Sequence, residues 1–121
     1  YSPLTLAYLG DAVFELAVRS KLVSHANTQV NKLHKQAINY VSAEAQCAAA
    51  EKLMPLFTEK ELKIFKRGRN AKPHSMAKNA TVKEYLEATG LEAVIGYLYL
   101  NREHGRLTEL INAAIEAVDK E

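Results

Sequence analysis

The sequence predicts an all-α fold, a bundle of helices joined by short turns. Apolar side chains recur at helical spacing through most of the chain, and no segment alternates apolar and polar residues as a half-buried strand does. Thr58 with Glu61, and Thr81 with Glu84, form the capping-box pattern that begins a helix. The chain has 121 residues, of which 48% are apolar and 25% are charged, so we interpret residues 1–121 as one globular domain.

The first three helices are predicted from their start and stop residues. The first covers residues 3–22, because Pro3 suits a first helical turn. A second begins after Thr28. A third begins near Ser42, whose hydroxyl is a favoured N-cap, and it ends before Pro55.

Four further helices are predicted in the second half of the chain. The fourth begins at the Thr58 capping box and ends near Arg67, and a short fifth begins at Thr81. A separate helix follows Gly90 and contains Glu92. The last helix carries an apolar stripe that is typical of a helix docked on a core, formed by Leu107, Leu110, Ile111, Ala114, Ile115 and Val118.

Two carboxylates lie in stretches that should exclude charge. Asp11 lies in a predicted helix that is apolar almost all the way round, and Glu92 is the only charged residue within residues 91–100. Such helices are normally buried, and a buried carboxylate is costly unless it is paired, hydrogen-bonded or bound to a metal. A structural bond to Arg, Lys or a helix N-terminus would satisfy each acid. Because few basic residues lie beside either, the two together also indicate a shared divalent cation such as Mg²⁺.

Positive charge is concentrated between residues 60 and 83. The net charge of the chain is only +2, yet this segment holds eight Lys or Arg and one acid, Glu61. Turn-forming residues after Phe65 predict a long loop, and a long basic loop is typical of a phosphate-binding surface; a solvated helix face is the alternative. The basic residues are Lys60, Lys63, Lys66, Arg67, Arg69, Lys72, Lys78 and Lys83.

Several other chemistries are disfavoured. Cys47 is the single cysteine, so a disulfide framework and a zinc cluster are excluded, and its Ala-rich surroundings predict a buried, inert thiol. The four histidines lack metal-ligand spacing. No apolar run approaches the roughly 20 residues of a membrane span. No signal peptide is visible, although the sequence is compatible with a leader or transit segment before Tyr1.

The two acidic stretches resemble two motifs of the ribonuclease III catalytic domain. Residues 9–16, with the sequence LGDAVFEL, resemble its signature helix, and residues 91–96, with the sequence LEAVIG, resemble its second acidic motif. The order and separation of the motifs agree as well, and the likeness covers nearly all 121 residues. The family's other acidic positions are occupied here by Leu4, Ala7 and Thr89.

This reduced acidic pattern resembles the Mini-ribonuclease III subfamily of bacteria and plastids, which has no double-stranded-RNA-binding domain. Further matches are residues 67–72 (RGRNAK), 88–90 (ATG) and 96–100 (GYLYL). The resemblance implies a ribonuclease III endonuclease-like helical bundle that forms a homodimer and does not associate with membranes. It also implies a bacterial cytoplasmic location, or a plastid location if a transit segment has been removed.

The activity that the resemblance implies is Mg²⁺-dependent endonucleolytic cleavage of double-stranded RNA, leaving 5′-phosphate and 3′-hydroxyl ends. Asp11 and Glu92 would be the catalytic residues and would hold Mg²⁺, for which Mn²⁺ can substitute. The implied substrate is the precursor of 23S ribosomal RNA, processed during ribosome biogenesis. The residues expected to bind RNA are Lys66, Arg67, Arg69, Asn70, Lys72, His74 and Lys78.

Two other classes of function stay open at this point. The lack of carboxylates at Ala7 and Thr89 favours a catalytically inactive ribonuclease III-like domain that only binds RNA in a ribosomal assembly, whereas the retention of Asp11 and Glu92 opposes it. A helical protein-interaction module with purely structural acids is the second alternative, and the basic segment opposes it.

Overall fold

The computed structural model describes residues 1–71 and 81–120, and these ranges contain helices and no β-strand, which confirms the predicted all-α fold. The helices are α1 (Pro3–His25), α2 (Val30–Val41), α3 (Ala43–Leu53), α4 (Glu59–Asn70), α5 (Val82–Leu100) and α6 (His104–Asp119), with a 3₁₀ turn at Met54–Leu56. Among the helices described, none combines the length and the apolar character that crossing a membrane requires.

Capping side chains begin three of these helices as the sequence predicts. The Ser42 hydroxyl accepts the backbone N–H of the third residue after it at 3.2 Å, which starts α3. At the start of α4, the Thr58 hydroxyl accepts from the Glu61 backbone at 3.1 Å, while the Glu61 carboxylate accepts from the Thr58 backbone at 2.9 Å. Thr81 and Glu84 repeat this reciprocal pair at the start of α5.

The central helix of the fold is α5. It packs against α1, α3, α4 and α6, and most of its residues from Glu87 to Leu98 are buried. Leu91 and Val94 have no exposed surface at all. Because α5 contacts four other helices, a site on α5 can include side chains from several of them.

The predicted division of this region into two helices at Gly90 was wrong, since α5 is continuous through that residue. The glycine serves close packing instead of ending the helix. A Cβ at Gly90 would lie 2.7 Å from the backbone oxygen of Phe65 in α4, closer than such atoms normally approach. Tertiary packing here outweighs the weak helix propensity of glycine.

The fourth helix extends further than the sequence indicates. It ends at Asn70, so Lys66 and Arg67 lie on the helix, as its predicted end near Arg67 allows, and Arg69 and Asn70 also lie on it and not in the predicted loop. Gly68 does not end the helix because it is buried against α5, and that packing stabilises the last turns. The remaining residues of the predicted RNA-binding set, which are Lys72, His74 and Lys78, lie outside the described residues.

One side of α1 is buried and the other is open. Leu6, Phe14 and Val18 face the core, whereas the side chains of Tyr8 and Leu16 are 84% and 67% exposed. In the single chain only one of the two apolar faces of this helix is covered, mainly by α5. The helix leaves an apolar stripe on the surface.

Candidate active site

Two glycines allow α1 and α5 to cross at very short range. A Cβ on Gly10 would overlap the backbone oxygen of Glu92, and a Cβ on Gly96 would overlap the backbone oxygen of Leu6. Because only glycine lacks a Cβ, no other residue fits either position without moving a helix. Asp11 follows Gly10 directly, so this crossing brings Asp11 beside Glu92.

Asp11 and Glu92 are neighbouring carboxyl groups. Asp11 is exposed and Glu92 is half-buried. Burial, followed by the negative charge of Asp11 and a hydrogen bond with Asp11, raises the pKa of the Glu92 carboxyl to about 8. The structure thus brings the two predicted site residues together. The expectation that Asp11 is buried was wrong, because the edge of α1 on which it lies faces outward.

The sequence left open the possibility that each acid forms a structural ion pair with a Lys or Arg, and the described residues contain no such pair. Within residues 1–71 and 81–120, no Lys or Arg forms an ion pair with Asp11 or Glu92. Glu15, one turn after Asp11, adds negative charge that raises the pKa of Glu92 further, and its own ion pair is with Arg19 at 2.8 Å. Among the described residues the site therefore has acidic groups and no basic one, and a cation would balance their charge once Glu92 loses its proton.

A third side chain, Gln46 of α3, reaches this site and was not predicted from the sequence. Its Nε2 donates to Glu92 Oε2 at 3.2 Å and to the backbone oxygen of Val41 at 3.0 Å. The hydrogen bond to Glu92 favours the charged carboxylate and opposes the rise in pKa. The signal in the sequence was a lone amide in an Ala-rich helix, where a buried polar residue needs partners.

The positions at which the family carries other acids add no ligand here. Ala7 is buried at 5% exposure, and Leu4 is partly buried. The Thr89 hydroxyl donates to the backbone oxygen of Tyr85 at 2.9 Å, one turn back in α5. Among the described residues, the acids that act on Glu92 are therefore Asp11 and, more weakly, Glu15.

A second group of possible metal ligands lies elsewhere on the α3–α5 interface. Cys47, Glu51 and Glu87 offer ligand atoms within 4.8 Å of one another. The Cys47 thiol donates to Glu87 Oε2 at 2.8 Å, and Lys83 Nζ binds Glu51 Oε1 at 2.9 Å. Burial, followed by the hydrogen bond to Glu87, raises the pKa of Cys47 to about 12, so the thiol keeps its proton. The prediction of a buried thiol is confirmed. Each of these carboxylates already accepts a hydrogen bond, Glu87 from the thiol and Glu51 from the Lys83 ammonium group.

Basic side chains line the exposed part of α4. Lys63, Lys66 and Arg67 are exposed, and the Lys60 ammonium lies 5.3 Å above the ring of Tyr97. The Arg69 guanidinium lies 5.7 Å from the Phe65 ring centre, and Arg69 Nε donates to Asn70 Oδ1 at 3.5 Å. The described part of the basic segment is thus a helical surface with most of its charges free to meet solvent.

The sequence of this chain matches a known family over both acidic stretches. Residues 4–103 match the family described as the ribonuclease III domain. The chain belongs to the ribonuclease III family. This endoribonuclease contributes Asp11 from α1 and Glu92 from α5 within the matched region.

Relatives of this ribonuclease III-family chain resemble it over almost its whole length. Mini-ribonuclease 3 of Symbiobacterium thermophilum is 48% identical over 118 residues, which are 98% of this chain and 91% of that protein. Mini-ribonuclease 3 of Clostridium tetani is 46% identical over 120 residues, with 98% of this chain and 80% of that protein covered. A crystal structure of a protein from Fusobacterium nucleatum is similar at a TM-score of 0.87 and 35% identity, covering 96% of this chain and 93% of that one. The resemblance to Mini-ribonuclease III is confirmed.

Proposed function

We propose that this endoribonuclease cleaves double-stranded RNA with the help of Mg²⁺ or Mn²⁺ held by Asp11 and Glu92. The observation that carries the proposal is the close approach of these two carboxyl groups without a basic partner among the described residues. Without a cation the pair keeps a proton on Glu92, because two carboxylates held together by a rigid helix crossing repel each other, and a divalent cation between them would replace that proton. The names of the similar proteins support ribonuclease activity.

The residues present fit a hard divalent cation. Asp11 and Glu92 offer carboxylate oxygens, which are the ligands that Mg²⁺ and Mn²⁺ prefer. Beside these ligands, the buried amide oxygen of Gln46, Oε1, has no hydrogen-bond partner among the described residues, and a water bound to the ion would provide one. Few protein ligands are needed, because Mg²⁺ usually keeps several of its waters. A soft metal is disfavoured, because it would prefer a thiolate ligand and the Cys47 thiol donates its proton in a hydrogen bond to Glu87.

The side chains of the site have separate tasks in this proposal. Asp11 is exposed, so its carboxylate is accessible from the RNA side, whereas Glu92 is anchored by the hydrogen bond from Gln46. Glu92 must lose its proton before it can bind a cation. When bound, the cation supplies Lewis-acid chemistry at the scissile phosphate.

The bond changes define the ends of the products. The oxygen of a water attacks phosphorus in line with the 3′ oxygen and releases a proton to solvent. The bond between phosphorus and the 3′ oxygen then breaks, and the 3′ oxygen takes up a proton from solvent. The products therefore carry a 5′-phosphate and a 3′-hydroxyl. Asp11 and Glu92 would act by holding the cation close to the phosphate. No covalent intermediate with the protein is required.

Double-stranded substrate implies two such sites, and we propose a homodimer that supplies them. The exposed apolar stripe of α1, which includes Tyr8 and Leu16, supports this assembly because it would be covered by a second copy. One site would then face each strand. Positive charge on α4 supports binding to the phosphate backbone, with Lys66, Arg67, Arg69 and Asn70 as described members of the set.

We further propose the precursor of 23S ribosomal RNA as the substrate and the cytoplasm as the location. The resemblance to Mini-ribonuclease 3 and the bacterial source of the similar proteins support these two assignments. The proposed substrate and location are more specific than the nuclease activity. An experiment that contradicts either of them would leave the nuclease activity unaffected.

The deciding experiment incubates the protein with end-labelled double-stranded RNA in Mg²⁺, in Mn²⁺ or in chelator. We expect discrete cleavage with either ion and none with chelator. Product ends are then tested by phosphatase and ligase treatment, which distinguishes a 5′-phosphate from a 5′-hydroxyl. Binding of the duplex without cleavage under all ionic conditions would overturn the proposal in favour of an inactive RNA-binding domain.

A further inference from the structure

Gln46 is held in one orientation by two acceptors. The side chain is 2% exposed, and its Nε2 donates both to Val41 on the backbone and to the carboxylate of Glu92. Reversing the amide would place Oε1 against these two oxygens, so the hydrogen bonds determine which end is nitrogen. The amide group therefore touches the Asp11–Glu92 site with a defined polarity.

The oxygen of the same amide has no partner. Among the described residues, Gln46 Oε1 is the buried side-chain oxygen or nitrogen for which the structure provides no hydrogen bond. A buried acceptor without a donor destabilises the folded protein. Oε1 shares its amide carbon with the nitrogen that donates to Glu92, so the unpartnered oxygen belongs to the same amide group that contacts the site.

A hydrated cation would supply the missing donor. Waters around a divalent ion are polarised by its charge and donate strong hydrogen bonds, and side chains beyond the direct ligands often accept them. Once a cation is bound, the carboxylates that hold it are acceptors and not donors, and the nearby Cys47 thiol donates to Glu87. Oε1 is a hydrogen-bond acceptor, and a water in the hydration shell of the ion would be the donor that it lacks.

We propose that Gln46 is a positioning residue of the cation site, which fixes Glu92 through Nε2 and accepts a hydrogen bond from an ion-bound water through Oε1. This inference rests on the proposed function, because it assumes that Asp11 and Glu92 hold the ion. It adds α3 as a third element of a site that α1 and α5 form. The residue acts through Glu92 and water, and it does not ligate the ion itself.

A purely structural role is the competing explanation, in which Gln46 only ties the C-terminal end of α2 to α3 through the Val41 oxygen. That role would make the free energy of unfolding sensitive to Gln46 but would leave cation affinity unchanged. The two explanations therefore separate in a binding measurement on protein without RNA.

The test measures Mn²⁺ binding by calorimetry on the RNA-free protein for wild type, Gln46→Met and Gln46→Asn. Met keeps the length of the side chain but removes donor and acceptor, and Asn keeps both but is too short to reach Glu92 and Val41 together. We expect each variant to weaken Mn²⁺ binding by about 10–100-fold. Gln36→Met, on partly buried Gln36 of α2, is the matched control and should bind Mn²⁺ as wild type does.

Cleavage assays give the second readout. At saturating RNA, Gln46→Met should need more Mg²⁺ for half-maximal rate, and excess Mg²⁺ should restore most of the rate while the KM for RNA stays unchanged. A folded Gln46 variant with wild-type Mn²⁺ affinity would overturn the inference.

Asp11→Asn and Glu92→Gln serve as references in the same titrations. If they lose Mn²⁺ binding while the Gln46 variants keep it, the inference fails and the proposed cation site stands. If both reference variants bind Mn²⁺ as wild type does, the cation site itself is elsewhere, and the inference about Gln46 fails with it.

Discussion

Gly10 lies directly against the backbone oxygen of Glu92, with no space for a side chain between the two helices. This contact sets the distance between α1 and α5 and therefore the distance between the carboxyl groups of Asp11 and Glu92. The glycine of the motif is thus part of the geometry of the site, although it has no functional group.

Replacing Gly10 with Ala tests this relationship. The added methyl group must push α1 away from α5, and overpacking of this kind costs typically about 1–3 kcal/mol. We expect a lower melting temperature and a loss of cleavage rate on the order of 100-fold, since small displacements of reacting groups have effects of that size. The matched control is Gly105→Ala in α6, where nothing lies within 4 Å of the added Cβ. That variant should keep wild-type activity; equal damage from both substitutions would contradict the role given to the Gly10 contact.

Removing either carboxylate should abolish cleavage. Asp11→Asn and Glu92→Gln keep the shape of the side chains but remove charge that holds the cation, so we expect at least a 100-fold lower rate with folding and RNA binding largely intact. In metal-free protein above about pH 8, where Glu92 is ionised, we expect either variant to be more stable than wild type, because the repulsion between the two carboxylates is gone. Glu59→Gln, at an exposed position of α4, is the control. Cleavage near the wild-type rate by either site variant in Mg²⁺ would refute the assignment.

The raised pKa of Glu92 makes the stability of the metal-free protein depend on pH. Burial and then the charge of Asp11 raise this pKa from 4.5 to about 8, so the carboxyl is neutral in the folded protein at pH values where it would ionise in the unfolded chain. The associated stability is present below about pH 4.5 and is lost as the pH rises through about 8. In chelator, we therefore expect the melting temperature to fall between pH 6 and pH 9.

A drop of at least about 1 kcal/mol corresponds to roughly 4 °C or more for a domain of this size. Glu92→Gln should remove most of this fall, and Mg²⁺ should restore the melting temperature of wild type at pH 9. Melting temperatures that stay level across the same range in chelator would show that Glu92 does not carry the raised pKa.

Assembly should depend on the exposed stripe of α1. Leu16 is 67% exposed on this stripe, and Leu16→Lys would place a charge in the proposed interface between two copies. We expect wild type to sediment as a dimer at micromolar concentration and Leu16→Lys to sediment as a monomer. Thr108→Lys, which adds the same charge at an exposed position of α6, should stay dimeric. A stable wild-type monomer would exclude this mode of assembly.

Binding of RNA should depend on salt through the basic segment. The triple variant Arg67→Ala, Arg69→Ala and Lys72→Ala should bind duplex more weakly and with a flatter salt dependence. Each lost phosphate contact lowers the log–log slope by roughly 0.7–0.9. Cleavage of RNA already bound should change much less. The control replaces Lys32, Lys35 and Lys120 with Ala, which removes equal charge elsewhere; an unchanged slope in the first variant would place the RNA track on another surface.

Local signals in the sequence were reliable because they depend on neighbouring residues. The capping boxes at Thr58 and Thr81 begin α4 and α5 as predicted, since the hydroxyl and carboxylate partners lie only three residues apart. The prediction that glycine at position 90 separates two helices failed, because packing against Phe65 outweighs helix propensity there. Packing of Gly68 against α5 likewise allows α4 to continue to Asn70.

The sequence by itself determined the helical class, the family and the two acids that stand out from apolar surroundings. Only the tertiary structure decided that Asp11 is exposed, that Glu92 has a strongly raised pKa and that Gln46 completes the contact from α3. The physical reason is that exposure, pKa and hydrogen-bond partners depend on atoms brought together from α1, α3 and α5. Periodicity within a single helix predicts an apolar face, but it does not specify which helix, or which copy of the chain, will cover that face.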